Sequence, residues 1–199
     1  MKKIFGLLLT LTGAVLLLAA GVLFFLQWRE SSLAGQNSQN LLSQTMEVIR
    51  QERETTMYDP AEADTDPGQM PGTALSGYDL IGVLRVSSVQ VEQPIQSSWN
   101  YELLKVSPCR YSGSLEGEDL ILLGHNYVTH FAPLRQVQLG DRVEFCDMSG
   151  IWHNFTVAEI QVLKAAQLDE LTGSGYPLTI FTCTRDGVSR LVLRCEYEA

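Results

Sequence analysis

The stretch LTIFTCTRDGVSRLVLRC, residues 178–195, reads as two apolar β-rich runs separated by the turn RDGVS, residues 185–189. Leu, Ile, Phe and Val interleaved with Thr suit a pleated strand. Cys183 stands where the first run stops, between Thr182 and Thr184, and Arg185, Arg190 and Arg194 follow it. If the runs pair as a hairpin, Arg190 returns close to Cys183. Arg194 then shares a face with Arg190 but lies about 13 Å further along the strand. A thiol becomes a useful nucleophile where neighbouring cations favour the thiolate, and a guanidinium can stabilise a developing oxyanion. Cys183 and Arg190 are therefore candidate catalytic residues. Arg185 and Arg194 are the weaker substitutes, since Arg185 alternates in phase with Cys183 but is equally a surface residue.

Working outward, LIGVLRV, VQVEQPI, DLILLGH, DRVEFCD, WHNFTVAEIQVL, LTIFTCT and RLVLRCEY are short β-rich runs between turn residues. SWNYELLK and TGSGYP are among the few breaks, and HFAPLRQV suits a short helix. Residues 76–199 are thus expected to form a mostly β domain, a closed or nearly closed barrel of seven to eight strands with one or two short helices. His125 follows the apolar run DLILLG and so sits at a strand terminus, as Cys183 does. A histidine near a thiol can protonate a leaving amine, which makes His125 the third catalytic candidate. His130, in a loop or helix start, and His153, in a turn and strand, are expected to be structural.

The N-terminus carries Lys2 and Lys3, then an uncharged apolar run from Ile4 to about Trp28. That is long enough to cross a hydrocarbon layer, which takes roughly 20 residues. A cleaved leader has a shorter apolar region, and Leu23, Phe24, Phe25 and Trp28 follow the alanines where cleavage would fall. Residues 1–28 are therefore expected to be a cytoplasmic stub and single-pass signal anchor, with Lys2 and Lys3 inside and Trp28 and Arg29 at the outer interface. A cleaved leader is the alternative.

Residues 29–75 are expected to be an extracellular stalk helix and linker. Leu42, Thr45, Met46 and Ile49 recur at helical spacing within 38–56, so this helix is either a stalk or packs on the globular part. Residues 58–77 are rich in Pro, Gly and acid and read as a solvated spacer. A lid using Asp59-Pro60 or Asp66-Pro67 is the functional alternative. The net charge of −9 excludes a nucleic-acid partner as the working hypothesis.

Four cysteines, Cys109, Cys146, Cys183 and Cys195, and three histidines show no CxxC or HExxH spacing, so no metal and no cofactor is expected. Cys146 and Cys195 either pair as a disulfide or are small buried apolar residues.

These residues together resemble the sortases, membrane-anchored cysteine transpeptidases of Gram-positive bacteria. The family's Thr-Leu-x-Thr-Cys signature is matched by Thr179-Ile180-Phe181-Thr182-Cys183, with Ile for Leu, followed by Arg190 on the next strand. Gly124-His125-Asn126 matches the family histidine, and IGVLRVSSVQVEQPI resembles its first two barrel strands. The resemblance spans about residues 78–197. There are departures. The interval from Cys183 to Arg190 is short for the family. The segment before LTIFTC is too short for the long class B helix, and the linker lacks the aromatic that marks a class C lid. A class A calcium site does not map residue by residue. A compact class A- or D-like enzyme fits best.

The resemblance implies attack by Cys183 on the Thr–Gly carbonyl of an LPxTG-like sorting signal of a secreted protein. His125 would serve as acid and then base, and Arg190 would hold the oxyanion or the substrate backbone. Thr182 and Asn126 would lie beside the substrate. The acyl group would pass to an amine of a peptidoglycan precursor or a pilin lysine. Two rival readings are a cell-wall cysteine peptidase and a non-catalytic surface β-barrel that binds a ligand; the latter expects Cys183 to be buried or bridged to Cys195.

Overall fold

The computed structural model describes residues 2–56 and 70–198. The alternating apolar runs form nine strands: β1 (Thr73–Leu75), β2 (Tyr78–Val86), β3 (Val91–Gln96), β4 (Cys109–Ser112), β5 (Leu120–Gly124), β6 (Arg142–Asp147), β7 (Trp152–Lys164), β8 (Leu178–Cys183) and β9 (Ser189–Tyr197). Their order is β1-β2-β3-β4-β5-β8-β9-β7-β6, and β6 returns to pair with β2. Eight strands therefore close into a barrel, and β1 is an added edge on β2.

Closure happens at Gly82. The first residues of β2 pair with β1, and from Gly82 to Arg85 the same strand pairs with β6 instead. The register on β3 shifts at this point, between Leu80 and Gly82. Gly82 has φ +153°, and a Cβ there would collide with the Cys146 carbonyl and the Phe145 ring. A bulge with no side chain lets the strand bend from one partner to the next.

Inside the barrel, Ile81, Leu84, Ile95, Leu122, Phe145 and Phe155 form the main core with Leu178, Ile180 and Leu193. A second cluster lies on the opposite face of β5, β8 and β9. There Ile121, Leu123, Phe181 and Val192 pack under Leu104 of helix α2 (Tyr101–Val106) and Leu171 of a 3₁₀ segment, Ala165–Leu171. A long helix, α1 (Lys2–Thr56), precedes the strands.

The chain divides into two units, residues 1–33 and 34–199. In the first, α1 exposes Leu16, Leu17, Leu18, Phe24 and Phe25 and is long and apolar enough to cross a membrane. In the second, the later turns of α1 pack on the barrel. Leu41, Leu42 and Ile49 lie against Leu80, Val83, Cys146 and Met148. Of the two options for the helix at 38–56, packing on the globular part is therefore the one found.

Three local elements escape the sequence pattern. β1 falls inside the Pro/Gly-rich linker stretch, β4 follows the break SWNYELLK without a β-like period of its own, and that break holds α2, capped by the Asn100 side chain accepting from the Leu103 N–H at 2.8 Å. Residues 57–69, with Asp59-Pro60 and Asp66-Pro67, lie outside the described residues. All four cysteines are free thiols, so the disulfide option for Cys146 and Cys195 gives way to buried apolar packing.

One buried polar group stands out. His130 is 1% exposed and neither ring nitrogen has a partner in hydrogen-bonding geometry. Burial pushes its pKa down to about 4; the nearby backbone of Ala34 and of Val106 offsets this in part. Because the folded pKa lies below the unfolded value, the unfolded chain binds the extra proton between those limits. His130 thus contributes stability near pH 7 that is lost as the pH falls through 6.5 toward 4. At pH 5 the loss is about 2 kcal/mol. Thermal denaturation of the full-length chain and of His130→Phe, at pH 7 and pH 5, measures this as a steeper acid destabilisation of the parent. Parallel curves for the two proteins would contradict it.

Candidate active site

Parallel pairing of β5 with β8 sets Ile121 opposite Thr179, Leu123 opposite Phe181, and Gly124 opposite Thr182. His125 is the next residue, at the level of Cys183. On the other side of β8 the antiparallel hairpin pairs Cys183 with Arg190 and Phe181 with Val192. Alternation then sorts the side chains. Thr182, Ile180 and Leu178 turn inward and are buried, while Cys183 and Phe181 share the outer face with Val192 and Arg190. Imidazole, thiol and guanidinium thus come from three adjacent strand ends. His125, Cys183 and Arg190 are all partly exposed.

Bonds from the neighbouring residues and from Arg190 itself hold the strand ends in place. The Thr182 hydroxyl, 1% exposed, donates to the Gly124 carbonyl at 2.8 Å and ties the two parallel strands together next to the site. The Asn126 side-chain amide donates to the Thr184 carbonyl at 3.1 Å and ties the histidine loop to the end of β8. Both residues expected beside the substrate therefore brace the strand ends. Arg190 donates from Nη1 to the Ser189 carbonyl at 3.0 Å and to the Gly187 carbonyl at 3.3 Å. The intervening turn is built by Asp186, whose carboxylate accepts from the Thr184 hydroxyl at 2.5 Å and the Val188 N–H at 3.1 Å. These bonds hold its pKa below the usual carboxylate range.

The alternatives separate by position. Arg185 is exposed. Arg194 is buried against another segment: Nη2 donates to the Glu170 carbonyl at 2.9 Å, and the guanidinium lies 5.6 Å from the Tyr176 ring. His153 pairs with Asp147 at 2.8 Å in the turn between β6 and β7. Burial raises the Cys109 and Cys195 thiols to about 12 and Cys146 to about 11, which leaves them protonated at neutral pH. Cys195 opposes Leu178, at the other end of β8 from Cys183. Among the described residues no three His, Cys, Asp or Glu side chains are grouped to hold a metal.

Two features had no sequence signal. The Tyr127 ring stacks on His125, with centroids 4.5 Å apart and planes 18° from parallel. An aromatic row continues the outer face beyond Cys183: Tyr111 meets Phe181 edge-on at 5.3 Å and Trp99 stacks on Tyr111 at 5.7 Å. Tyr111 belongs to β4, so its neighbours follow only from sheet order.

The Sortase domain family model matches residues 84–198. No curated protein sequence matches the chain significantly. Among solved structures, a sortase D5 transpeptidase of Clostridium perfringens is 18% identical with a TM-score of 0.62, over 82% of this chain and 99% of its own. A C. perfringens sortase C, solved with the C-terminal cell wall sorting motif, is 20% identical with a TM-score of 0.55, over 80% and 90%. Sortase A of Listeria monocytogenes is 19% identical with a TM-score of 0.53, over 60% and 88%. These likenesses are likenesses of fold. The family match covers more than half of the chain, from within β2 to the end of β9, and takes in the three strands that carry Cys183, His125 and Arg190: the protein belongs to the sortase family.

Proposed function

We propose that the protein is a membrane-anchored cysteine transpeptidase that cuts an LPxTG-like sorting signal and joins the acyl part to an amine. The observation that carries this reading is the alignment of His125, Cys183 and Arg190 across three adjacent strand ends. The Cys183 thiolate attacks the Thr–Gly carbonyl, and the Arg190 guanidinium donates to the oxyanion that develops. The C–N bond breaks as the His125 imidazolium gives its proton to the departing glycine amine, leaving a thioester on Cys183. An amine from a peptidoglycan precursor or a pilin lysine then attacks the thioester. His125 takes the proton from that amine, and the thiolate leaves. No group beyond these side chains is needed to balance either step. Thr182 and Asn126 keep the strand ends in place through the bonds described above.

Lys2 and Lys3 remain cytoplasmic and the barrel faces outward, with the apolar part of α1 as the single span. A tether of this kind raises the effective concentration of substrates that are themselves held at the membrane. Hydrolysis by water is the competing fate of the same thioester, and the amine dependence of product formation distinguishes transfer from peptidase activity.

In a peptide-transfer assay with the full-length enzyme in detergent, Cys183→Ala abolishes the reaction. His125→Ala lowers kcat by about 10³-fold or more, and Arg190→Lys or Arg190→Ala by about 10²–10³-fold. Transfer by Cys183→Ala would sink the scheme. Thiol titration at neutral pH offers a separate check. One of the four cysteines reacts in the folded protein and all four after denaturation, and the native signal disappears in Cys183→Ala.

A further inference from the structure

The segment of α1 that leads out of the apolar span is packed directly beneath the loop carrying His125. Resting on the reaction scheme above, we propose that the turns at Ala34–Ser38 are a positioning element for His125, so that the anchor helix is part of the catalytic apparatus as well as a tether.

Two independent sets of contacts support this. The first is a largely buried polar chain. Ser38, 1% exposed, donates its hydroxyl to the Gln93 side-chain oxygen at 2.5 Å, and Gln93, 3% exposed, donates from Nε2 to the Thr129 carbonyl at 2.9 Å. A largely buried chain of this kind specifies geometry, because breaking the Ser38–Gln93 link leaves a desolvated polar atom without a partner. The second is steric. Gly35 sits so close to the loop that a Cβ would lie 2.6 Å from the Thr129 methyl and 2.9 Å from its Cβ. Only glycine permits this approach between helix and loop.

From Thr129 the support passes to the imidazole through packed rings. His130 is buried where the backbone of Ala34 and of Val106 comes near its ring. Its ring centroid lies 5.4 Å from that of Tyr127, and Tyr127 in turn stacks on His125 at 4.5 Å. The loop is wound tightly enough to transmit displacement. The His130 and Ala132 N–H groups both donate to the Tyr127 carbonyl, and Phe131 N–H donates to the His125 carbonyl. Across the chain as a whole, α1 fixes Thr129 and His130, these fix Tyr127, and Tyr127 sets the plane of His125.

A double-mutant cycle tests the proposal in full-length protein held in detergent micelles, with kcat and KM for peptide transfer measured separately. Gly35→Ala pushes the loop away and lowers kcat by about ten- to a hundredfold, with KM unchanged. Thr129→Gly removes the atoms the new methyl would strike, and the double variant Gly35→Ala/Thr129→Gly regains most of the kcat of Thr129→Gly alone. Gln39→Ala, exposed and just beyond this segment, leaves kcat unchanged. The His125 imidazole resonances of Gly35→Ala shift in NMR spectra while the native thiol count stays at one. The proposal is overturned if Gly35→Ala keeps parental kcat, if its kcat loss only follows a loss of folded protein, or if Thr129→Gly fails to rescue it. A dead Cys183→Ala beside a fully active Gly35→Ala rejects this inference alone, whereas an active Cys183→Ala rejects the reaction scheme beneath it.

Discussion

Everything at this site depends on the register of three strands. β8 is paired in parallel with β5 on one side and antiparallel with β9 on the other. Because side chains alternate with period two, a slip of one residue in either pairing would turn Cys183 inward and bring Thr182 to the surface. The register is enforced mainly by burial. Leu120, Leu122, Leu178 and Ile180 fill the barrel from these strands, at about 1.5–3 kcal/mol each for full burial. The Thr182–Gly124 hydrogen bond adds about 1 kcal/mol. Packing therefore selects the register, and the hydrogen bond trims the strand ends beside the thiol.

The same barrel buries the other three thiols. Cys109, Cys146 and Cys195 are fully buried, and desolvation disfavours their thiolates. Cys183 differs in lying at the last residue of its strand, on the outer face, where it stays partly exposed. Its neighbours are equally constrained by chain ends. His125 follows β5 directly, and Arg190 is the second residue of β9 after the Asp186 turn. Side chains set at strand termini have a rigid base while staying reachable from solvent.

Much of this could be read from residues 178–195 and 120–126. Their apolar runs are long, uniformly β-prone and bounded by turn residues, so strand type and the end positions of Cys183 and His125 followed from pattern alone. The weaker elements were illegible for reasons that are physical. β1 has three residues, and β4, Cys-Arg-Tyr-Ser, is too short and mixed to show a period; both exist because a neighbouring strand offers them an edge. Helix α2 has six residues and depends on its Asn100 cap and on Leu104 finding a cluster to enter. Thr182 and Asn126 matched a pattern, yet the directions of their side chains, and hence their bracing of the strand ends, depend on atoms 58 residues away.

The amino-acid sequence alone determined the β-rich domain, the apolar N-terminal run, the amphipathic stripe of α1 and the candidate thiol, imidazole and guanidinium. These follow from local periodicity and side-chain chemistry, which a chain carries whatever its fold. Only the tertiary structure decided that β6 returns to β2, that α1 lies on the barrel, and that His130 is sealed beside Tyr127. Those outcomes are set by which distant surfaces exclude water together, and that depends on non-local pairing whose partners no single stretch of sequence encodes.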